Sequence, residues 1–322
     1  IHPPFLGTFP PEFAELLAAV KQIHSGRETE DVLRPLAVAN FKKNIQALDS
    51  PGVAAIFGGA KNRPVVVAAA GPTLDDSMDF IKKIYPAACL IAVDTVAEGM
   101  AEQGLAPDFV VSVDPKPESA MHFQTGLLTR SVLVFTPISQ PDVVRQFSGR
   151  RLLAVPKNHF FLQPAENLLA RKGLLISGGS VSILAAALAA AMEPSHVILA
   201  GVDFRTAPGR VYSGLSSYHR RVDGGGRFST PETIEQSFLD GELIDTPAGK
   251  SAPRLRHYAA DFRFLVKHTP VPFYSLGPAP VEGVRSGVLP CGSATLMPRP
   301  VRVPPDEPPV TAEIFKALGL SS

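Results

Sequence analysis

Residues 65–76 read VVVAAAGPTLDD. Six small or β-branched apolar residues run without a polar break into Gly71-Pro72-Thr73, and Asp75 and Asp76 follow. Such a run fits a strand buried on both faces of a parallel sheet. A glycine where the run stops lets the backbone turn sharply, and Pro72 stiffens the turn by fixing φ. Thr73 then offers a hydroxyl near the start of the next helix, where free N–H groups and the helix dipole favour an anion. Asp75 or Asp76 can cap that helix. The turn therefore suits a phosphate, and it equally suits an ordinary strand-to-helix connection.

The same pattern repeats down the chain. Apolar runs occupy Val65–Ala70, Cys89–Val93, Phe109–Val113, Val132–Phe135, Leu152–Val155, Val197–Ala200 and Val271–Tyr274. Helix-length segments lie between them, including Asp76–Tyr85, Thr95–Gln103 and Ser180–Met192. Buried strands alternating with helices imply a doubly wound α/β fold, a mostly parallel Rossmann-like sheet covered on both faces. Before it, Pro10–His24 and Thr29–Leu48 have helical spacing, which predicts an N-terminal helical segment over residues 1–60. The nucleotide-binding catalytic domain is expected over 61–288. Within it, 206–250 is a glycine-rich, polar excursion, either mobile or a lid. Helical spacing returns over Ala252–His268. Residues 289–322 read as a proline-rich tail in which neither ordinary helix nor central strand forms past Pro290.

Composition excludes several classes. The chain has 322 residues and a net charge of +1, from 31 Lys and Arg against 30 Asp and Glu. No basic block marks a nucleic-acid surface. Cys89 and Cys291 are far apart and lack metal spacing, which fits a reducing compartment and inert thiols. The longest apolar run, Val181–Met192, is too short to span a bilayer and reads as a buried helix. No signal peptide is read, and a cytoplasmic location is expected. The first residue is Ile1, as in a piece cut from a longer chain, which puts targeting segments outside this reading.

Candidate site residues sit at the ends of the runs. Asp94 and Thr95 close the second run (IAVDT), about twenty residues past the glycine turn, where nucleotide folds often place an acid on ribose. Asp114 closes the third (VVSVDPKP), in a loop stiffened by Pro115 and Pro117 around Lys116. Ser177-Gly178-Gly179-Ser180 opens the apolar helix, where bare amides admit a ligand and Ser180 can cap or bond a phosphate. Glycines there also permit tight helix packing. Asp203 follows the next run (VILAGVDF), behind Gly201. No dinucleotide fingerprint and no P-loop lysine is present, so neither NAD nor a standard NTPase site is indicated. For a general base, histidine suits neutral pH. The candidates are His219 in the excursion (YSGLSSYHRR), His159 (PKNHFF) and, less suited because it lies in a helix, His257.

AAGPTLDD, IAVDT, APDFVVSVDP, SGGSVSILAAALA and VILAGVDF, in that order, resemble the core of the motility-associated factor (Maf) flagellin glycosyltransferases. Related to these are archaeal 6-hydroxymethylpterin diphosphokinases, and bacterial sialyltransferases share a similar Gly-Pro-Ser-Leu turn. The resemblance runs from Asn44 to about Gly283, with PFYSLGPAPVEGV near its end. Thr73 stands where the family usually has serine, and the hydroxyl survives. SVDPKP is closer to the glycosyltransferases than the Asp-Leu-Asp-Gly of the pterin kinases. The resemblance implies a CMP-activated nonulosonic acid, such as CMP-pseudaminic acid, as donor and a Ser or Thr of flagellin as acceptor. Gly71, Pro72, Thr73 and Leu74 would hold the nucleotide end. Asp94 and Asp114 would contact ribose, base or metal, and Gly178, Gly179 and Ser180 would line phosphate or sugar carboxylate. Two alternatives remain: a diphosphokinase holding Mg²⁺ on Asp94 and Asp114, and a nucleotide-binding module without chemistry.

Overall fold

The computed structural model describes residues 32–207, 210–222, 243–246, 249–287 and 311–320. Helix α1 covers residues 32–43 and leads through two 3₁₀ turns, Ile45–Asp49 and Val53–Ile56, to the sheet. The chain then alternates β1 (Pro64–Ala68), α2 (Thr73–Ile84), β2 (Cys89–Val93), α3 (Asp94–Glu102), β3 (Phe109–Ser112) and β4 (Val132–Phe135). It continues through α4 (Pro141–Gln146), β5 (Arg150–Leu153), β6 (Val155–Pro156), α5 (Glu166–Leu169), β7 (Leu174–Leu175), α6 (Val181–Ala191) and β8 (His196–Ala200). After α7 (Ser217–Val222) come the small pair β9 (Ile244–Thr246) and β10 (Gly249–Ser251), then α8 (Pro253–Lys267), β11 (Phe273–Ser275), β12 (Arg285–Ser286) and α9 (Thr311–Ala317).

The main sheet has the order β12-β11-β8-β1-β2-β3-β4-β5, and its pairings are parallel. β1 lies in the middle, and Val65, Val66, Val67 and Ala68 are all buried. From β1 the chain winds outward to β5. It then returns through α6 and resumes at β8, on the opposite side of β1. Because such crossovers are right-handed, the reversal puts α2 and α3 on one face and α6 and α8 on the other. The expected doubly wound sheet is therefore present. Its order reverses between β1 and β8, where open α/β sheets bind ligands.

Alternate residues of the outer strands feed two cores. Val134 and Leu152 join the large cluster around α6. Leu133, Phe135 and Leu153 point the other way, into a second cluster with Phe41 of α1 and Ile314 of α9. The single run expected over Leu152–Val155 divides at Ala154. There the chain changes partner: Ala154 N–H bonds to Phe135, the end of β4, and Val155 N–H to Gly173, beside β7. The tail needs a correction. Residues 288–310 lie outside the described residues, but α9 is a helix, contrary to the expectation for everything past Pro290. Proline stops at Pro309, and the following VTAEIFKALGL carries Ile314 into the second core, fully buried.

Candidate functional site

At the switch point the ends of β1 and β8 are locked together. Ala69 N–H donates to Ala200 and Gly71 N–H to Gly201, both at 2.8 Å. Gly201 holds φ at +68°, a conformation open to glycine at little cost. A Cβ on Gly71 would overlap Gly201 O and the Asp203 carboxylate. Asp203 is buried and caps α2 from across the crevice. It accepts from Thr73 N–H at 2.9 Å and from Thr73 Oγ1 at 2.6 Å. The amide and hydroxyl proton expected to meet a phosphate thus meet a carboxylate of the protein itself. The helix consequently begins at Thr73, three residues before the expected Asp76. Arg205 Nη2 lies 3.8 Å from Asp203 Oδ1, the oxygen that also accepts from the Thr73 hydroxyl. Pro72 and Leu74 are buried, Leu74 as part of the large core.

One strand over, Asp94 is the first residue of α3 and is 4% exposed. Its oxygens accept from Thr95 N–H at 2.8 Å and Ser112 Oγ at 2.7 Å. Burial raises its pKa, while the neighbouring His122 and these hydrogen bonds pull it back down. Asp114 is half-buried and accepts from Lys116 N–H at 2.9 Å, which leaves it the more accessible carboxylate. Its loop is held from below by α1. Asn40 Nδ2 donates to Pro115 O at 2.7 Å and Ile138 O at 3.1 Å. Asn44 Nδ2 donates to Ser139 O at 2.7 Å and Pro137 O at 3.2 Å.

On the opposite face, the N-terminus of α6 reaches the same edge. Gly178 and Gly179 are exposed, and α6 has no acid in its first turn and no side-chain cap on Ser180. Ser180 Oγ instead lies 2.9 Å from Ser182 Oγ. Both glycines also serve packing, since a Cβ on Gly178 would sit 2.7 Å from Asp261 Oδ2 and one on Gly179 would overlap the Tyr258 ring. Asp261, on α8, accepts a long bond of 3.4 Å from Gly179 N–H. Burial raises its pKa against the opposing pull of that amide and of His257.

The described part of the excursion lies across the α2–α3 face. Ser213 N–H donates to Ala70 O at 2.8 Å. Asp75 accepts from Ser213 Oγ, from Gly214 N–H at 3.0 Å and from Arg210 Nη1 at 2.9 Å. Asp75 is thus an anchor for this segment rather than a cap. α7 packs on α3 and carries half-buried His219, whose N–H donates to Ser216 O. The middle of the excursion, 223–242, lies outside the described residues, and so does Cys291. His159 stands apart. It follows β6 near the β5 edge, four strand spacings or about 19 Å from β1. Burial, with Arg34 nearby, lowers its pKa to about 4. The Cys89 thiol is buried and held well above its usual range by that burial and by Asp108.

The all-parallel sheet thus brings Gly71, Thr73, Asp94, Asp114, Asp203 and the Gly178–Ser180 segment to one edge. Sequence reading passed over Asn40, Asp75 as an anchor, His122 and Asp261. His122 follows Asp114 by eight residues, so titratable groups near strand ends are the signal that could have found it. Asp261 carries no local signal, because only the packing of α8 brings it to the edge. Among the described residues no group of three or more His, Cys, Asp or Glu side chains would hold a metal ion. Of the two carboxylates expected for magnesium, Asp94 is buried with both oxygens accepting hydrogen bonds, and Asp114 is half-buried. Among the described residues no helix is long and apolar enough to cross a membrane.

Comparison with known proteins gives a family and a fold. The sequence model of the family described as 6-hydroxymethylpterin diphosphokinase MptE-like matches residues 39–209. Among solved structures, the chain is similar to the Maf glycosyltransferase of Magnetospirillum magneticum AMB-1, with a TM-score of 0.54 at 15% identity. The alignment covers 85% of this chain and 42% of that one, and the likeness is one of fold. The comparison with curated proteins returns no match.

Proposed function

The chain belongs to the 6-hydroxymethylpterin diphosphokinase MptE-like family, and from that premise we propose that it is a transferase using a nucleotide-activated donor. The donor favoured is a CMP-activated nonulosonic acid, and the acceptor is a protein hydroxyl such as a Ser or Thr of flagellin. The observation that carries this reading is the convergence, at one switch point, of four strand ends with the start of α6, a helix with no acid in its own first turn. Gly178 and Gly179 are exposed there and the Gly179 amide makes only a long bond to Asp261, while the equivalent donors of Thr73 are already satisfied. The donor's phosphate or carboxylate therefore goes to α6, and the Gly71–Leu74 turn shapes the crevice beside it.

In the reaction the acceptor oxygen bonds to the anomeric carbon. The bond from that carbon to the phosphate oxygen breaks, and its electron pair leaves with CMP. The helix-start amides stabilise charge building on the phosphate. His219 takes the acceptor proton, and Asp114, the accessible carboxylate, orients a donor or acceptor hydroxyl. Asp94, Thr95 and Asp203 hold these groups in register. A cytoplasmic setting suits an activated sugar nucleotide, and no nucleic-acid partner is called for.

A second reading is supported by the name of the matching family: pyrophosphate transfer from ATP to a pterin, with Mg²⁺ on Asp94 and Asp114. Asp94 fits that role poorly, because it is buried with both oxygens already accepting hydrogen bonds. Thermal shift and calorimetry with CMP, ATP and GDP, with and without Mg²⁺, separate the readings. Stabilisation by CMP and release of CMP from CMP-pseudaminic acid are expected. Stabilisation only by ATP with Mg²⁺ and a pterin would favour the kinase. Binding without turnover of either donor would leave a nucleotide-binding module. If Asp114→Ala leaves every shift unchanged, the site assignment fails.

A further inference from the structure

His122 is 5% exposed, yet neither fold nor chemistry has so far used it. Its Nδ1 lies 2.6 Å from Ser217 Oγ, on the first residue of α7 and 95 positions away in sequence. Its ring meets Tyr218 edge-on at 5.4 Å, and Tyr218 stacks on Tyr212 at 5.0 Å. The charge of His122 lowers the pKa of buried Asp94, and that of Asp114 raises it. Two buried polar side chains therefore meet, one from the connection between β3 and β4 and one from α7. Burying such groups is costly unless they are mutually satisfied, and a satisfied buried network selects one arrangement of the elements that carry it. α7 also packs on α3. It is six residues long, too short to be stable by itself, and it carries His219.

We propose that His122 is a positioning residue, which through Ser217 fixes α7 and thereby sets the orientation of His219 at the carboxyl edge of the sheet. The relevance of His219 to catalysis rests on the transferase reading above; the tie between His122 and α7 does not. Asp94 is near enough for the imidazole to lower its pKa, but its hydrogen bonds go to Thr95 and Ser112.

The test uses the full chain and three variants. His122→Phe keeps a ring against Tyr218 and removes the bond to Ser217. Ser217→Ala removes the bond from the other side with little change in volume. His122→Asn returns a polar atom close to Nδ1. Exchange of the amides of residues 217–222 is expected to rise about tenfold in His122→Phe and Ser217→Ala, the scale of one buried hydrogen bond. Release of CMP from CMP-pseudaminic acid should show kcat lower by about tenfold, with CMP affinity unchanged. His122→Asn should restore both, and the double variant should be no worse than either single one. Unchanged exchange in both single variants overturns the proposal. So does a kcat loss in His122→Phe that Ser217→Ala fails to reproduce and His122→Asn fails to relieve. If the wild-type chain neither binds nor releases CMP, the transferase reading falls, and the exchange measurement still decides the role of His122.

Discussion

Thr73 and Asp203 illustrate how a residue can be read correctly in chemistry and incompletely in partner. A hydroxyl at a helix start beside a glycine turn marks an anion-accepting position. The sequence also places an aspartate after a later strand, but only the parallel pairing of β1 with β8 brings its carboxylate onto Thr73. Gly71 exists for that approach. Gly71→Ala would drive a methyl group into Gly201 O and Asp203, and neither backbone nor capped carboxylate can yield cheaply. The expected loss is about 2 kcal/mol or more of unfolding free energy, read from the urea midpoint. His159 gives a prediction in pH. Burial first, and then Arg34, hold its pKa at about 4, below its ordinary 6.5. The folded state thus resists protonation that the unfolded chain accepts. Its contribution is fully present above pH 6.5 and is lost as pH falls from there through about 4. His159→Gln should remove roughly 3 kcal/mol of that pH dependence, visible as a flatter plot of urea midpoint between pH 7 and 4. An equally steep plot in the variant would show that His159 is not the group responsible.

At the scale of elements, the strands were legible because buried parallel strands are continuous apolar runs, as in VVVAAA and CLIAV. The two-residue strands β6, β7 and β12 were not, since nothing in so short a stretch separates strand from loop. The start of α2 was read three residues late, because the cap that fixes it, Asp203, is 130 residues away. Helix α1 shows the same limit. Its apolar spacing was visible, but Asn40 and Asn44 look like ordinary surface residues until the fold puts them under the loops after β3 and β4. Each is nearly fully buried, and together they tie four carbonyls of those loops to α1 and the residue that follows it. Asn40→Ala leaves Pro115 O and Ile138 O without that donor. A cost of about 2 kcal/mol is expected, accompanied by weaker stabilisation by CMP, since the Pro115 carbonyl is adjacent to Asp114. Asn40→Asp, which keeps the shape and loses the donors, should behave like alanine. If CMP stabilisation is untouched in both while the midpoint falls, α1 supports the fold without setting the site.

For the whole molecule, the question is whether the terminal segments form separate bodies or complete the sheet. Residues of α1 and α9 belong to one hydrophobic cluster, where the rings of Phe41 and Phe315 stand edge to face at 5.8 Å. That cluster shares strands with the main core: Val134 faces one way while Leu133 and Phe135 face the other, and Leu152 and Leu153 divide likewise. A strand cannot lose one face and keep its register, because slipping by one residue exchanges the faces. The two clusters should therefore melt together. Ile314 is fully buried, and Ile314→Ala should cost about 3 kcal/mol through lost contacts and the cavity left behind. The consequence is a lower midpoint for the entire transition, by several degrees. Calorimetry and far-ultraviolet circular dichroism should report the same single midpoint in wild type and variant. Two resolved transitions in Ile314→Ala, with the β1 core unfolding at the wild-type temperature, would show instead that the outer strands with α1 and α9 form a unit of their own. In that case the switch-point edge would owe nothing to the chain ends for its stability.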